Sequence, residues 1–263
     1  MIKIAFFASH PLGMRCLELL HKSEELDIEI VVTYPPDHDT WWENSVHSLA
    51  QNLKYPILPI HRSHELFEIN NDFDYIICVY YPNILNEELL ELPEKGALNL
   101  HQAELPRFRG SNVFTHSILR ARRDDHWVHG TTFHFMTEKV DAGDIVGQKQ
   151  VQITENDTAW SLYKRTNTAS VQLFKEMIPE IASGQIQSMR TPQSAYEGPR
   201  YFNLKSSLDD IKKISLDDLT NENKASDIWD RIRALEFPPF EPAYTQIDGN
   251  KIYLTTQIGE NNN

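Results

Sequence analysis

Residues 1–33 read MIKIAFFASHPLGMRCLELLHKSEELDIEIVVT, and the spacing of apolar residues along them decides the fold. Ile2 to Ala8 is a short, almost unbroken apolar run, the pattern of a strand buried on both faces. Leu12, Cys16, Leu19 and Leu20 then recur at helical spacing between Leu12 and Lys22. Ile28 to Thr33 returns to strand composition. A strand, a helix and a second strand in this rhythm form a crossover unit and so a parallel sheet. The rhythm continues with a short helix at Val46 to Leu53, a strand at Ile57 to Pro59 and a strand at Tyr75 to Val79. A helix at Asn86 to Leu92, with Asn86 as its cap, leads to a strand at Ala97 to Leu100. The expected class is α/β, with a doubly wound, mostly parallel sheet whose ligands sit beyond the carboxyl ends of its strands.

Outward from this core, Phe114 to Arg123 reads as a helix, and His129 to Phe135 and Ile145 to Ile153 as strands. Asp157-Thr158 caps a long amphipathic helix from Ala159 to about Ile181. After Gly184 the pattern loosens, and Pro192, Pro199 and the polar run Ser215 to Ser226 suggest a connector. A helix at Asp227 to Leu235, a turn at Phe237-Pro238-Pro239-Phe240, and a hairpin follow. The hairpin pairs Tyr244 to Ile247 with Lys251 to Thr255 around Asp248-Gly249. The expected organisation is a main domain over 1–190, a small helix-plus-hairpin appendage over 200–258, and a disordered tail over 259–263. The hairpin is also where two copies of the chain would pair, giving a homodimer.

With 25 Lys and Arg against 38 Asp and Glu, the net charge is −13. Such a chain is repelled on average by nucleic acid and by anionic membranes. No apolar run approaches the ~20 residues of a membrane span, and the N-terminus reads as a strand rather than a signal peptide. Cys16 and Cys78 read as reduced core thiols, which fits a cytoplasmic protein. No Cys/His cluster has zinc spacing, so no metal is expected. Arg120, Arg122 and Arg123 read as a solvated helix end, whereas Arg107 and Arg109 lie next to the segment with the most chemistry.

That segment begins at Asn99-Leu100-His101. Two residues apart on a strand end, Asn99 and His101 point to the same face. An amide there can donate to a developing oxyanion, and an imidazole can accept a proton from an attacking nucleophile. The same pair also suits a polar strand end that merely bonds to a loop. Leu105-Pro106 followed by Arg-Phe-Arg-Gly110 reads as a sharp reversal, with a cis proline as one option, that holds the His101 loop over the strand ends. Gly130-Thr131 opens a strand. Asp141-Ala142-Gly143-Asp144 closes a loop in which Gly143 supplies conformational freedom.

The stretches NLHQAELPRFRG (99–110) and HGTTFHFMTEKVDAGDIV (129–146) resemble the folate-dependent formyltransferases, over roughly residues 1 to 185. The resemblance implies a Rossmann-like formyltransferase fold and a catalytic trio of Asn99, His101 and Asp141. In this expectation Asp141 holds the imidazole in its working tautomer and stabilises its protonated form. The implied donor is 10-formyltetrahydrofolate, its pterin held largely by the backbone of Asn83-Ile84-Leu85 and Thr137-Glu138-Lys139. Ala103-Glu104-Leu105-Pro106 departs from the Ser-Leu-Leu-Pro of the tRNA-type members, and the chain looks about 50 residues short of their tRNA-gripping barrel. Gln102-Ala103, His134-Phe135-Met136 and Leu235-Glu236-Phe237-Pro238-Pro239 are similar to the amino-sugar branch. The implied acceptor is a nucleotide-linked amino sugar, with Ser9, His10 and Arg109 as candidate sugar or phosphate contacts. Trp41-Trp42 is a further candidate for stacking on a base or covering the site. The alternatives are formyl transfer to methionyl-tRNA or a small ribonucleotide, a non-catalytic folate or nucleotide-sugar binder, and a hydrolase that releases formate.

Overall fold

The computed structural model describes residues 1–42, 45–70 and 72–256, so the tail expected over 259–263 lies outside the described residues. The chain opens with β1 (Ile2–Ala8), α1 (His10–His21) and β2 (Leu26–Thr33). Helix α1 starts two residues before the apolar repeat because Pro11 sits in its first turn, where a missing N–H costs nothing. Then come α2 (Val46–Asn52), β3 (Ile57–Pro59), α3 (Leu66–Ile69) and β4 (Tyr75–Val79). Helix α4 (Glu87–Glu91) is capped by Asn86, whose side chain accepts from the Leu89 amide at 3.1 Å. Next are β5 (Ala97–His101), β6 (Phe108–Gly110), α5 (Val113–Ala121), β7 (Val128–Phe135) and β8 (Ile145–Gln152). The long α6 (Ala159–Ser183) begins at a capping box between Thr158 and Ser161. The chain finishes with β9 (Tyr201–Asn203), α7 (Leu216–Leu219), α8 (Ala225–Leu235), β10 (Ala243–Ile247) and β11 (Asn250–Leu254).

The central sheet runs β3-β2-β1-β4-β5-β7-β8. It is parallel from β3 to β5, whereas β7 and β8 are antiparallel additions at one edge. Helices cover both faces. On one, Phe6, Ile77, Val79, Leu98, Leu100, Phe133 and Phe135 pack against α1, α2 and α6. On the other, Phe7, Val32, Ile76 and Cys78 meet Leu66 of α3 and Leu89 of α4. Both cysteines are buried and unpaired, as read from sequence. Since Leu98 and Leu100 face the first core, strand alternation turns Asn99 and His101 to the opposite side. Asn99 is paired with His134, and His101 with Thr132, in the β5–β7 ladder.

One small sheet escaped the sequence reading. Strands β6 and β9 pair in parallel across about ninety residues of chain, and three-residue strands are too short to show alternation. Segment 190–200, read as a connector, is likewise tied down: Thr191 pairs with Ile145, and Gln193 is buried. The Leu105–Pro106 and Pro238–Pro239 bonds are both cis. Helix α8 joins α5 through Arg122 and Asp230 (2.9 Å), and Leu235, Ile214 and Ala243 form a small core beneath the β10–β11 hairpin. Among the described residues no helix is long and apolar enough to cross a membrane.

Candidate active site

The last residue of β5, His101, meets the reversal that follows it. Its Nε2 lies 2.9 Å from the carbonyl oxygen of Phe108, which can only accept, so Nε2 carries the hydrogen. Nδ1 is left with its lone pair, 3.6 Å from Oδ1 of Asp141. The working tautomer is therefore set by the Phe108 carbonyl and not by Asp141, as the resemblance had implied. A backbone oxygen leaves no trace in a residue pattern. The Asp141 carboxylate instead stands where a proton arriving on Nδ1 would complete an ion pair. Both side chains are only 10% exposed, so water screens that pair little.

Two backbone groups of the 105–110 reversal thus serve the site, because the Gly110 amide donates to Asp141 Oδ2 at 2.8 Å. Gly110 has φ +84°, and a Cβ there would overlap the Asn203 carbonyl of β9. Asp141 itself holds φ +51°, a conformation that Asp tolerates better than most side chains. Gly143, read as the flexible point of that loop, has no left-handed φ. It is required because a Cβ there would overlap the Phe135 carbonyl oxygen.

Asn99 reaches across to β7, where its Nδ2 donates to His134 Nε2 at 3.2 Å. His134 Nδ1 donates to the Phe135 carbonyl at 2.7 Å, which keeps Nε2 an acceptor. Burial holds the His134 ring neutral, pushing its pKa down to about 4. One Asn99 amide hydrogen is thereby committed and its plane fixed. His134 Nε2 also lies 3.7 Å from Asp141 Oδ1, so the three predicted residues and His134 form one cluster.

The Thr131 hydroxyl donates to the His101 carbonyl (3.2 Å), and the Thr132 hydroxyl to the Ala103 carbonyl (2.7 Å). Gln148 holds the Leu105 carbonyl at 2.7 Å. Glu104, the carboxylate that departs from the tRNA-type pattern, pairs with His126 at 2.6 Å, and Ala103 is fully buried. Thr132, His134 and Gln148 were not singled out as site residues, although alternation along β7 from the Asn99 register points to the first two.

The remaining expected contacts are arranged differently. Ser9 is 2% exposed, with its hydroxyl directed to the Tyr80 carbonyl and 2.8 Å from His10 Nδ1. The His10 ring is sandwiched between Trp42 (3.6 Å) and Tyr80 (4.3 Å), and burial pushes its pKa down to about 3. A neutral, stacked ring brings no charge to a phosphate. Trp41 is embedded among Trp160, Tyr163, Phe237 and Phe240. Arg109 lies over the Phe202 ring, while Arg107 turns away to Asp124 (2.7 Å). Of the two expected folate loops, Asn83, Ile84 (74% exposed) and Thr137-Glu138-Lys139 are exposed, whereas the Leu85 side chain is buried in the core; the Thr137 hydroxyl donates within its own loop, to the Lys139 carbonyl at 3.1 Å.

Residues 64–178 match the Formyl transferase family, and residues 208–260 match the N-formyltransferase dimerization C-terminal domain. The chain belongs to the formyltransferase family. It is 32% identical to a methionyl-tRNA formyltransferase of Geobacillus sp. (strain WCH70) over 177 residues, 67% of this chain and 51% of that protein. It is 29% identical over 262 residues to the bifunctional polymyxin resistance protein ArnA of Wigglesworthia glossinidia brevipalpis, covering 96% of this chain and 37% of ArnA. The chain therefore spans about half or less of the length of these two relatives. An N-formyltransferase of Helicobacter canadensis, solved with folinic acid and dTDP-3-aminofucose, superposes with a TM-score of 0.71 at 21% identity, over 96% of this chain and 87% of that one. The fold is thus the α/β formyltransferase fold, with its mostly parallel sheet.

Proposed function

We propose that this formyltransferase moves a formyl group from 10-formyltetrahydrofolate to the primary amine of a nucleotide-linked amino sugar, in the cytoplasm. The observation that carries the reading is the convergence of the Asn99 amide, His101 Nδ1 and the Asp141 carboxylate on one face of the β5–β7 seam. Acceptor and donor class are supported by the fold shared with a protein solved with a folate and a dTDP-amino sugar. The charge of −13 opposes a tRNA footprint.

In this mechanism the amine nitrogen attacks the formyl carbon and its proton passes to His101 Nδ1. The Nε2–H bond to Phe108 keeps that nitrogen a lone-pair base until then. Asp141, fixed by Gly110, pairs with the imidazolium that results. As the tetrahedral centre collapses, the bond between the formyl carbon and the donor's N10 breaks, and the proton held on His101 Nδ1 passes to that departing nitrogen, which restores the base and releases tetrahydrofolate. Asn99, its plane held by His134, offers its second amide hydrogen to the charge that grows on the formyl oxygen, a contribution worth about 100- to 1000-fold in rate. The exposed Ile84 offers apolar surface to the donor ring, with Asn83, Leu85, Thr137, Glu138 and Lys139 supplying backbone. Of the acceptor contacts, Arg109 supplies charge, and Ser9 and His10 shape a neutral wall.

The same reading assigns catalysis to 1–190 and pairing of two copies to 200–258, supported by the exposed Ile252 and Tyr253 of β11. The test is product mass after incubation of purified protein with 10-formyltetrahydrofolate and a panel of nucleotide amino sugars, methionyl-tRNA and glycinamide ribonucleotide. An N-formyl sugar is the expected product. Formylation of methionyl-tRNA or the ribonucleotide alone overturns the acceptor, and no product from any acceptor overturns the transfer.

A further inference from the structure

Asp141 occupies a left-handed backbone position in the half-buried turn 141–144, and its carboxylate must be aimed at His101. Gly110 fixes one carboxylate oxygen from the side chain's end. What fixes the backbone end is Gln193, which lies about fifty residues further on, in the stretch that reads as a connector. Its side-chain Nε2 is 2.8 Å from the Asp141 carbonyl and 2.9 Å from the Gly143 carbonyl. An amide nitrogen has two hydrogens, and here each goes to one carbonyl of the Asp-Ala-Gly turn.

Gln193 is itself held firmly. It is 6% exposed, and it follows Thr191, which exchanges two backbone hydrogen bonds with Ile145 at 2.9 and 2.8 Å. Its own carbonyl accepts from Arg200 Nη2 at 2.8 Å. Ile145 begins β8, so the Gln193 turn is anchored to the sheet edge just after the loop it clamps. A buried amide bridging two carbonyls gives a rigid link from the sheet to the carboxylate.

We infer that Gln193 is a positioning residue, which aims the Asp141 carboxylate at His101 by clamping the Asp141 and Gly143 carbonyls. The inference rests on the reading of Asp141 as the partner of the His101 base.

The experiment uses Gln193→Met, which keeps the side-chain length and removes both donors, with amide hydrogen exchange of Gly110 as a readout that needs no substrate. The Gly110 amide is expected to exchange at least about tenfold faster than in the wild type, while Ile77 in β4 is unchanged. In turnover, kcat is expected to fall about 10- to 100-fold with both KM values held, and Gln193→Met is expected to add no further loss in an Asp141→Asn background. Gln193→Asn, one methylene too short to reach both carbonyls, is the second variant and must move Gly110 in the same direction. Unchanged Gly110 exchange overturns the inference, as does an equal kcat loss in the Asp141→Asn background. If the wild-type protein formylates nothing, the functional reading fails, while the Gly110 exchange still decides whether Gln193 aims Asp141.

Discussion

Two histidines stand at the carboxyl ends of neighbouring parts of one sheet and live in opposite environments. His101 ends β5 with one ring nitrogen donating to a carbonyl and the other facing a carboxylate. His10 follows β1 with its ring clamped between Trp42 and Tyr80, and burial keeps it neutral. Both follow a strand in the place where α/β proteins bind ligands. What separates them is the partner each ring nitrogen finds. At β5 the antiparallel strand β7 and the 105–110 reversal bring polar groups to the ring. At β1 the neighbouring strand ends and the 41–42 loop bring aromatic faces. A histidine becomes a base here through the groups that hold its tautomer, not through its place on a strand.

The sharpest way to break this contrast is to remove each ring. His101→Ala is expected to lower kcat by about 1,000- to 10,000-fold, since it removes both the base and the charge that Asp141 stabilises. His10→Phe, which keeps a flat ring in the stack, is expected to cost less than about tenfold. Steady-state kinetics with the accepted amino sugar checks both, and a comparable loss in the two variants would erase the distinction. Asn99→Ala comes next, with a kcat loss of about 100- to 1000-fold and KM little changed, because its amide acts on charge that exists only as the bond forms.

Gly110→Ala sharpens the contrast from the side of stability. It places a Cβ on a left-handed residue and against the Asn203 carbonyl, so β6 and β9 must part. A loss of about 2–3 kcal/mol is expected, read as a lower urea midpoint at unchanged slope. The Asp141 carboxylate loses its amide donor in the same step, so kcat falls in the fraction that stays folded.

How much of this was legible in the residues follows the range of the forces involved. The parallel core was, because Tyr75 to Val79 is a continuous apolar run and Ile2 to Ala8 and Ala97 to Leu100 are each broken by a single polar residue, Lys3 and Asn99, so their burial is written locally. Asn99 and His101 on one face followed from strand alternation alone. Asp141 joined them by resemblance, since forty residues separate it from His101 and no periodicity spans that gap. The partner that holds the His101 tautomer was not legible, because it is a backbone carbonyl, that of Phe108. Strands β6 and β9 were missed because each has three residues and, unlike the apolar Ile57-Leu58-Pro59 of β3, each mixes aromatic with polar residues or glycine, and Gln193 because its partners are carbonyls.

The smallest expected effect concerns the acid side of the stability curve. His10, His129 and His134 are buried and neutral, with pKa values pushed down by burial to about 3, 3 and 4, against about 6.5 for an unfolded chain. Between those values and 6.5 the unfolded state binds more protons than the folded one, so stability rises with pH through that window and is lost as pH falls. Each ring adds a slope on the order of 1 kcal/mol per pH unit below about pH 6. His10→Phe removes one of these titrations and leaves the stack, so urea unfolding from pH 7.5 to 5.0 is expected to show a shallower decline than the wild type by about one proton. An identical decline in the two proteins would mean that His10 takes up its proton in the folded state as readily as in the unfolded one. The Trp42 and Tyr80 rings would then not exclude water from it, and the two strand ends would differ less than their geometry implies.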